Sequence, residues 1–214
     1  MNLPNKITVS RIILIFAMII AMFVLAFCPN LNIPTLGDSG INLIYLIFFF
    51  VFVVAAFTDM LDGKIARKYN LVTDFGKFLD PIADKLLNDA TMIFLLVPQA
   101  YAPAQRRDLT MLTILLICVI LMIARDLVVD ALRLIAVKKN IVIAANIFGK
   151  AKTVLQMIAI PMLLLNDWPF SYFDGKWPQS LQISNIFFYL ATIMSLVSGV
   201  IYVYQNRAVL KETK

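Results

Sequence analysis

The chain contains no histidine. Every mechanism that needs imidazole as base, nucleophile or metal ligand is thereby excluded. It holds 2 cysteines, too few for a zinc site built on thiolates. Cys28 and Cys118 lie in apolar runs and read as small buried hydrophobes rather than as a disulfide. Charge is scarce too. Asp, Glu, Lys and Arg make up 15% of the residues, against about 25% in a typical globular domain. No Gly/Ser/Pro-rich linker, repeat or low-complexity stretch divides the sequence, so residues 1–214 read as one domain.

What is abundant is apolar surface, with 61% hydrophobic residues. A soluble fold of this size cannot hide that much, and the bilayer is the natural solvent. A span needs about 20 mostly apolar residues. Six segments meet this expectation, at roughly 7–27, 41–60, 81–97, 109–137, 148–165 and 183–204. The second is expected to run on as helix to about residue 70. The fold class expected is an all-α integral membrane protein with six transmembrane helices. The polar start before residue 7 has no small-residue cleavage site behind its apolar run, so no signal peptide is expected.

Basic residues orient the spans. Lys6, Arg11, Lys64, Arg67, Lys68, Lys77, Lys85, Lys138, Lys139, Lys150, Lys152, Arg207, Lys211 and Lys214 fall on one side, which is therefore cytoplasmic. Arg106, Arg107 and Lys176 fall on the other. Six spans put both termini in the cytoplasm, with the cell membrane as location. Trp168, Trp177, Tyr172 and Tyr101 lie near the outer boundary, as an aromatic belt would. The net charge of +6 is accounted for by anionic lipid heads, and no nucleic-acid partner is expected.

The stretch from Thr58 to Lys85 reads TDMLDGKIARKYNLVTDFGKFLDPIADK and lies on the cytoplasmic side. Asp59 and Asp62 are spaced to share one helix face, and so are Asp80 and Asp84. Asp80 precedes Pro81, which predicts a helix start there with proline in its first position. Antiparallel packing of the two helices would bring four carboxylates together. They cannot all stay ionised at close range without cations. Oxygen ligands without His or suitable Cys select hard ions, Mg²⁺ or Mn²⁺. Two such ions would clamp a phosphate and orient the attacking and leaving oxygens. Gly63, Ala66 and Gly76 permit close approach of a nucleotide or a neighbouring helix, and Arg67 suits a diphosphate. Asp74 and Asp89 read as a loop charge and a boundary residue.

This stretch resembles the signature of the CDP-alcohol phosphatidyltransferases, D-x2-D-G-x2-A-R-x8-G-x3-D-x3-D. Asp59, Asp62, Gly63, Ala66, Arg67, Gly76, Asp80 and Asp84 stand at those spacings without departure. At about one in twenty per position, chance gives such a match on the order of once in 10¹⁰ windows. A solvated loop balanced by its own lysines and arginines does not account for it. The resemblance implies six transmembrane helices, two divalent ions, a CDP-linked lipid donor and a homodimer. By position it implies that Asp59, Asp62, Asp80 and Asp84 hold the metals. It also implies that Asp84 is the general base, and that Gly63, Ala66, Arg67 and Gly76 cradle the cytidine diphosphate. The segment Pro4 to Arg11 resembles the family's amino-terminal segment, which brings Asn5 and Thr8 to the donor diphosphate. The alternative for these two is helix capping.

Arg125 and Arg133 are charges in an otherwise apolar span. An Arg there costs at least about 2.5 kcal/mol, and such a charge usually faces a polar cavity. They share roughly one helix face, with Asp126 and Asp130 nearby to form ion pairs, and Lys150 and Lys152 open the next span. Together they describe an anion pocket. Residues 125–133 and 149–156 resemble the bacterial phosphatidylglycerophosphate synthases, where Glu is usual in place of Asp126. The resemblance implies attack by the sn-1 hydroxyl of glycerol 3-phosphate on the β-phosphate of CDP-diacylglycerol. CMP leaves and phosphatidylglycerophosphate forms, with Arg125, Arg133, Lys150 and Lys152 on the acceptor's phosphate. Inositol phosphate, serine and phosphatidylglycerol are the alternative acceptors. The last two have less use for a cationic pocket. The phospholipase-D-like route to cardiolipin needs histidine. A transporter would show inverted repeats or interrupted spans, and a scaffold has no use for the fixed signature.

Overall fold

Residues 3–27 form the first helix, α1 (Leu3–Phe27). Apolar residues line it on every side, so periodicity alone does not mark an inner face. A computed structural model of the chain separates the faces. Its backbone description covers residues 3–27, 34, 36, 41–69, 73–96, 108–139, 141, 143 and 146–210. The side chains of Leu3, Pro4, Ala26, Met60, Asp62, Ile65, Ala66, Arg67, Asp74, Lys77, Ala208 and Leu210 lie outside it. On α1 the buried stripe is Thr8, Arg11, Ile15, Met18, Met22 and Leu25. The opposite stripe of Ile13, Phe16, Ile20, Phe23 and Phe27 is exposed. An apolar helix with a large apolar outer face belongs in lipid.

Six long helices carry the described residues: α1, α2 (Leu43–Lys68), α3 (Asp74–Phe94), α4 (Leu109–Lys138), α5 (Ile147–Leu164) and α7 (Ile183–Gln205). A single turn, α6 (Ser171–Asp174), and two short 3₁₀ turns, Gln179–Leu181 and Arg207–Leu210, complete them. Four are long and apolar enough to cross a membrane: Asn5–Leu25, Leu109–Lys138, Ile147–Leu164 and Ile183–Gln205. The apolar part of α2, Leu43–Asp59, is shorter. The chain is therefore an all-α membrane protein with several apolar helices.

The third helix departs from expectation. It begins at Asp74, not at Pro81, because Thr73 caps it. The Thr73 hydroxyl accepts a hydrogen bond from the Gly76 N–H at 3.1 Å, satisfying one of the orphan donors of a first turn. Pro81 thus lies inside the helix, on its exposed side, where its missing N–H removes one backbone bond. Asp80, Asp84, Lys85, Asn88 and Asp89 make α3 too polar to count among the apolar spans. Asp74 is its first helical residue rather than a loop charge.

The chain divides into two compact units. In the first, residues 1–107 and 163–168, α1 packs against both α2 and α3. The unit's buried apolar residues include Ile15, Met18 and Met22 of α1, Phe48 and Phe52 of α2, and Leu87 and Met92 of α3. Phe94 meets Phe48 edge-on at 5.2 Å and Tyr45 at 5.7 Å. The inner stripe of α2, Tyr45, Phe48, Phe52 and Ala55, continues in register to Asp59. That of α3 runs from Gly76 through Asp80, Ala83 and Leu87 to Thr91. Each of the three stripes therefore has one polar end.

In the second unit, residues 108–162 and 169–214, α4 packs on α7. The buried face of α7 is Ser184, Asn185, Phe188, Ala191, Thr192, Ser195, Ser198, Gly199 and Tyr202. Its outer face carries Leu190, Ile193, Val197 and Val200. Small and polar residues inside with large apolar ones outside is membrane-helix packing, since lipid offers no hydrophobic drive for association. Buried Asp174 accepts from the Ile183 N–H at 2.8 Å and so ties down the start of α7.

Candidate active site

In the first unit the polar ends of the three stripes meet. Arg11 of α1 is 3% exposed. Its guanidinium reaches Asp59 of α2 through Nη1, and Asp80 of α3 through Nη2 at 3.5 Å. Thr8 donates to the same Asp80 oxygen, Oδ1, at 3.2 Å. One turn earlier, buried Asn5 accepts from the Thr73 hydroxyl at 2.8 Å. Asn5 and Thr8 are therefore not helix caps. The helix starts at Leu3, and both face inward toward α3. Gly76 completes this contact. A Cβ there would lie 3.3 Å from both Asn5 Oδ1 and Thr73 Oγ1, so a side chain at this position would press on both and force them to shift by a few tenths of an ångström.

Asp84 lies one turn beyond Asp80. Its Oδ1 accepts from Asn88 Nδ2 at 2.9 Å, and the same amide group donates to the Asp84 carbonyl. Gly63 is half-buried on α2. The side chains of Asp62, Ala66 and Arg67 lie outside the described residues. Among those described, no three acidic, histidine or cysteine side chains gather as a ready metal cluster.

The donor chemistry nevertheless fits a hard cation. Asp59 and Asp80 already share a cation, the Arg11 guanidinium. Only one oxygen of each carboxylate is so engaged; the second has no partner among the described residues. The two carboxylate side chains are 42% and 43% exposed, whereas that of Arg11 is 2% exposed. The arginine is the buried partner of a half-exposed carboxylate pair, and carboxylate oxygen is the ligand type that Mg²⁺ and Mn²⁺ prefer.

The second unit holds Arg125, Arg133, Lys150 and Lys152, the basic residues expected at the acceptor's phosphate. Asp126 accepts from Arg125 Nη1 at 2.8 Å and from Lys152 Nζ at 2.6 Å, one on each oxygen. Arg125 also donates from Nε to the Ser195 carbonyl at 3.1 Å and from Nη2 to the Ser198 hydroxyl. Asn146 fixes Ser198 in turn, accepting its hydroxyl at 3.0 Å and donating to its carbonyl at 3.1 Å. Arg125 and Lys152 are thus joined through Asp126, in the ion-pair arrangement. Two cations on one carboxylate leave the trio with an excess positive charge. Arg133 is exposed and held differently, donating from Nε to the Tyr202 hydroxyl at 3.1 Å, with its guanidinium 5.6 Å from the ring centre. Lys150 is exposed at the first turn of α5.

Sequence reasoning missed Arg11, which counted only as a cytoplasmic charge, and also Thr73, Asn88, Asn146 and Ser198. One signal was available. Arg11 follows Thr8 by three positions inside an apolar helix, and a charge so placed needs an inward partner. Cys118 is a free thiol, half-buried rather than buried; Cys28 lies outside the described residues.

The family profile described as CDP-alcohol phosphatidyltransferase matches residues 1–203. A Bacillus subtilis protein named CDP-diacylglycerol–glycerol-3-phosphate 3-phosphatidyltransferase is 40% identical over 210 residues, covering 98% of this chain and 97% of that protein. Proteins of the same name from Rickettsia bellii and Mycoplasma pneumoniae are 34% and 36% identical. They cover 94% and 95% of this chain, and 93% and 87% of their own lengths. With a profile spanning nearly the whole chain and relatives this similar along their full lengths, the chain belongs to the CDP-alcohol phosphatidyltransferase family.

Proposed function

We propose that this enzyme transfers the phosphatidyl group of CDP-diacylglycerol to glycerol 3-phosphate, giving phosphatidylglycerophosphate and CMP. The observation that carries the reading is the near-full-length likeness to relatives named for this reaction. The meeting of Asp59 and Asp80 beside Thr8 supports it.

In this reading Asp59, Asp62, Asp80 and Asp84 hold two Mg²⁺ or Mn²⁺ ions. The ions supply neutralisation of the phosphate charge and of the departing CMP oxygen. Asn5, Thr8, Gly63, Ala66, Arg67 and Gly76 cradle the cytidine diphosphate. Gly76 serves through the close α1–α3 contact that sets Asn5, and Arg67 by its planar pair of donors. Asp84 takes the proton from the sn-1 hydroxyl of glycerol 3-phosphate. The freed oxygen attacks the β-phosphorus, and the bond to the CMP oxygen breaks with its electron pair. Arg133, Lys150 and the positively charged Arg125–Asp126–Lys152 trio attract the acceptor's phosphate. The site faces the cytoplasm with both termini, and the assembly is a homodimer.

Purified protein in detergent, given CDP-diacylglycerol and Mg²⁺ or Mn²⁺, is expected to release CMP only when glycerol 3-phosphate is added. Release with inositol phosphate, serine or phosphatidylglycerol in its place would transfer the reading to that acceptor.

A further inference from the structure

Arg11 is neither exposed nor near the lipid-facing stripe of α1. It is a buried cation whose two terminal nitrogens go to carboxylates on two different helices. Thr8, one turn away on the same face, adds a second donor to Asp80. Both donors use Oδ1 of Asp80, and Arg11 also uses Oδ1 of Asp59. The other oxygen of each carboxylate has no partner among the described residues, and both side chains are about two-fifths exposed.

The geometry points to Arg11 as a positioning residue for metal binding: its fork, assisted by Thr8, fixes the rotation of Asp59 and Asp80 so that their second oxygens face one incoming divalent cation. The inference rests on the metal site proposed above. Ligand carboxylates are commonly oriented by hydrogen bonds from behind, and loss of such a partner typically weakens metal binding about 10–100-fold. A point charge would not do the same. The planar guanidinium presents two nitrogens at a fixed separation, one to each helix, whereas an ammonium is compact and rotates freely. Burial makes the device costly to lose, because nothing in the apolar core around Ile15 and Met18 can replace it.

The charge of Arg11 works in the opposite sense. A cation close to a dication repels it, so a residue acting only as a resident competitor would weaken metal binding. The two roles therefore predict opposite results, and the conservative replacement separates them.

The test measures Mn²⁺ binding to the full-length protein in detergent without lipid substrate, by the electron paramagnetic resonance signal of free Mn²⁺. Arg11→Lys keeps the charge and loses the fork; Mn²⁺ affinity is expected to fall about tenfold or more. Thr8→Val removes one donor to Asp80 without changing charge, and a smaller, several-fold loss is expected. Far-UV circular dichroism and gel filtration check that each variant is folded. If Arg11→Lys does not fold, the Thr8→Val result decides alone. Unchanged or tighter Mn²⁺ binding in the folded variants overturns the positioning role and leaves the metal site standing. Absence of Mn²⁺ binding in the unaltered protein overturns both.

Discussion

A Cβ placed on Gly199 would come within 2.7 Å of the Arg125 Cγ. The Arg125 stem fills the space that a side chain at this point of α7 would take, before its head reaches Ser195 and Ser198. Gly199→Ala is therefore an overpacking change, expected to cost about 1–3 kcal/mol. It should lower the thermal midpoint in detergent. The neighbouring Val200 is exposed on the outer face of α7, so Val200→Ala serves as the control, with a smaller effect.

Asp126 is the shared counter-charge of Arg125 and Lys152, and all three side chains are less than one-fifth exposed. Removing it leaves two cations facing each other. Asp126→Ala is expected to destabilise the second unit strongly, by up to about 3–5 kcal/mol. Asp126→Glu keeps the charge and should retain most of the stability. Thermal unfolding of both variants, followed by circular dichroism, checks the order.

Asp84 is expected to matter for turnover more than for donor binding. Asp84→Asn preserves shape and removes the base, so kcat should fall about 10²–10⁴-fold. Binding of CDP-diacylglycerol, followed by calorimetry, should persist in part. Near-normal turnover would refute the role.

Arg133 and Lys150 are the exposed members of the basic set. Replacing either by Ala should raise the KM for glycerol 3-phosphate about ten- to a hundredfold, the worth of one charge-assisted hydrogen bond. The KM for CDP-diacylglycerol should stay within a factor of about two of its original value by the same reasoning. Equal rises in both would place these residues elsewhere in the mechanism.

Chelation offers a simpler check. EDTA should abolish CMP release, and Mg²⁺ or Mn²⁺ in excess should restore it, because oxygen-only sites release and rebind such ions readily. Full activity after exhaustive chelation would sink the metal assignment.

Much of this was legible in the residues. Apolar runs located the long helices within a few positions, and the aspartate spacing marked the ends of α2 and α3 that carry Asp59 and Asp80. The start of α3 was not legible. Pro81 is a common first helical residue, and it competes with the equally local start signal of Thr73 followed by Asp74, which is the one the helix uses. Arg11 was hidden for a related reason. Its partners are 48 and 69 positions away, and helix periodicity in an all-apolar segment does not say which face turns inward. The Arg125–Asp126 pair was readable from proximity in sequence, whereas Ser195 and Ser198 required the packing of α7.

The stripe of α1 runs Thr8, Arg11, Ile15, Met18, Met22, Leu25, alternating steps of three and four. Its chemistry is therefore phase-locked to its anchoring. One residue inserted between Arg11 and Ile15 would turn the polar end by about 100° relative to the apolar one, sending Arg11 away from Asp59 and Asp80 while the helix stayed just as hydrophobic. An insertion of seven would restore the phase to within about 20° but lift the polar end by about 10 Å along the axis. Composition is thus a forgiving property of this helix, and length is not.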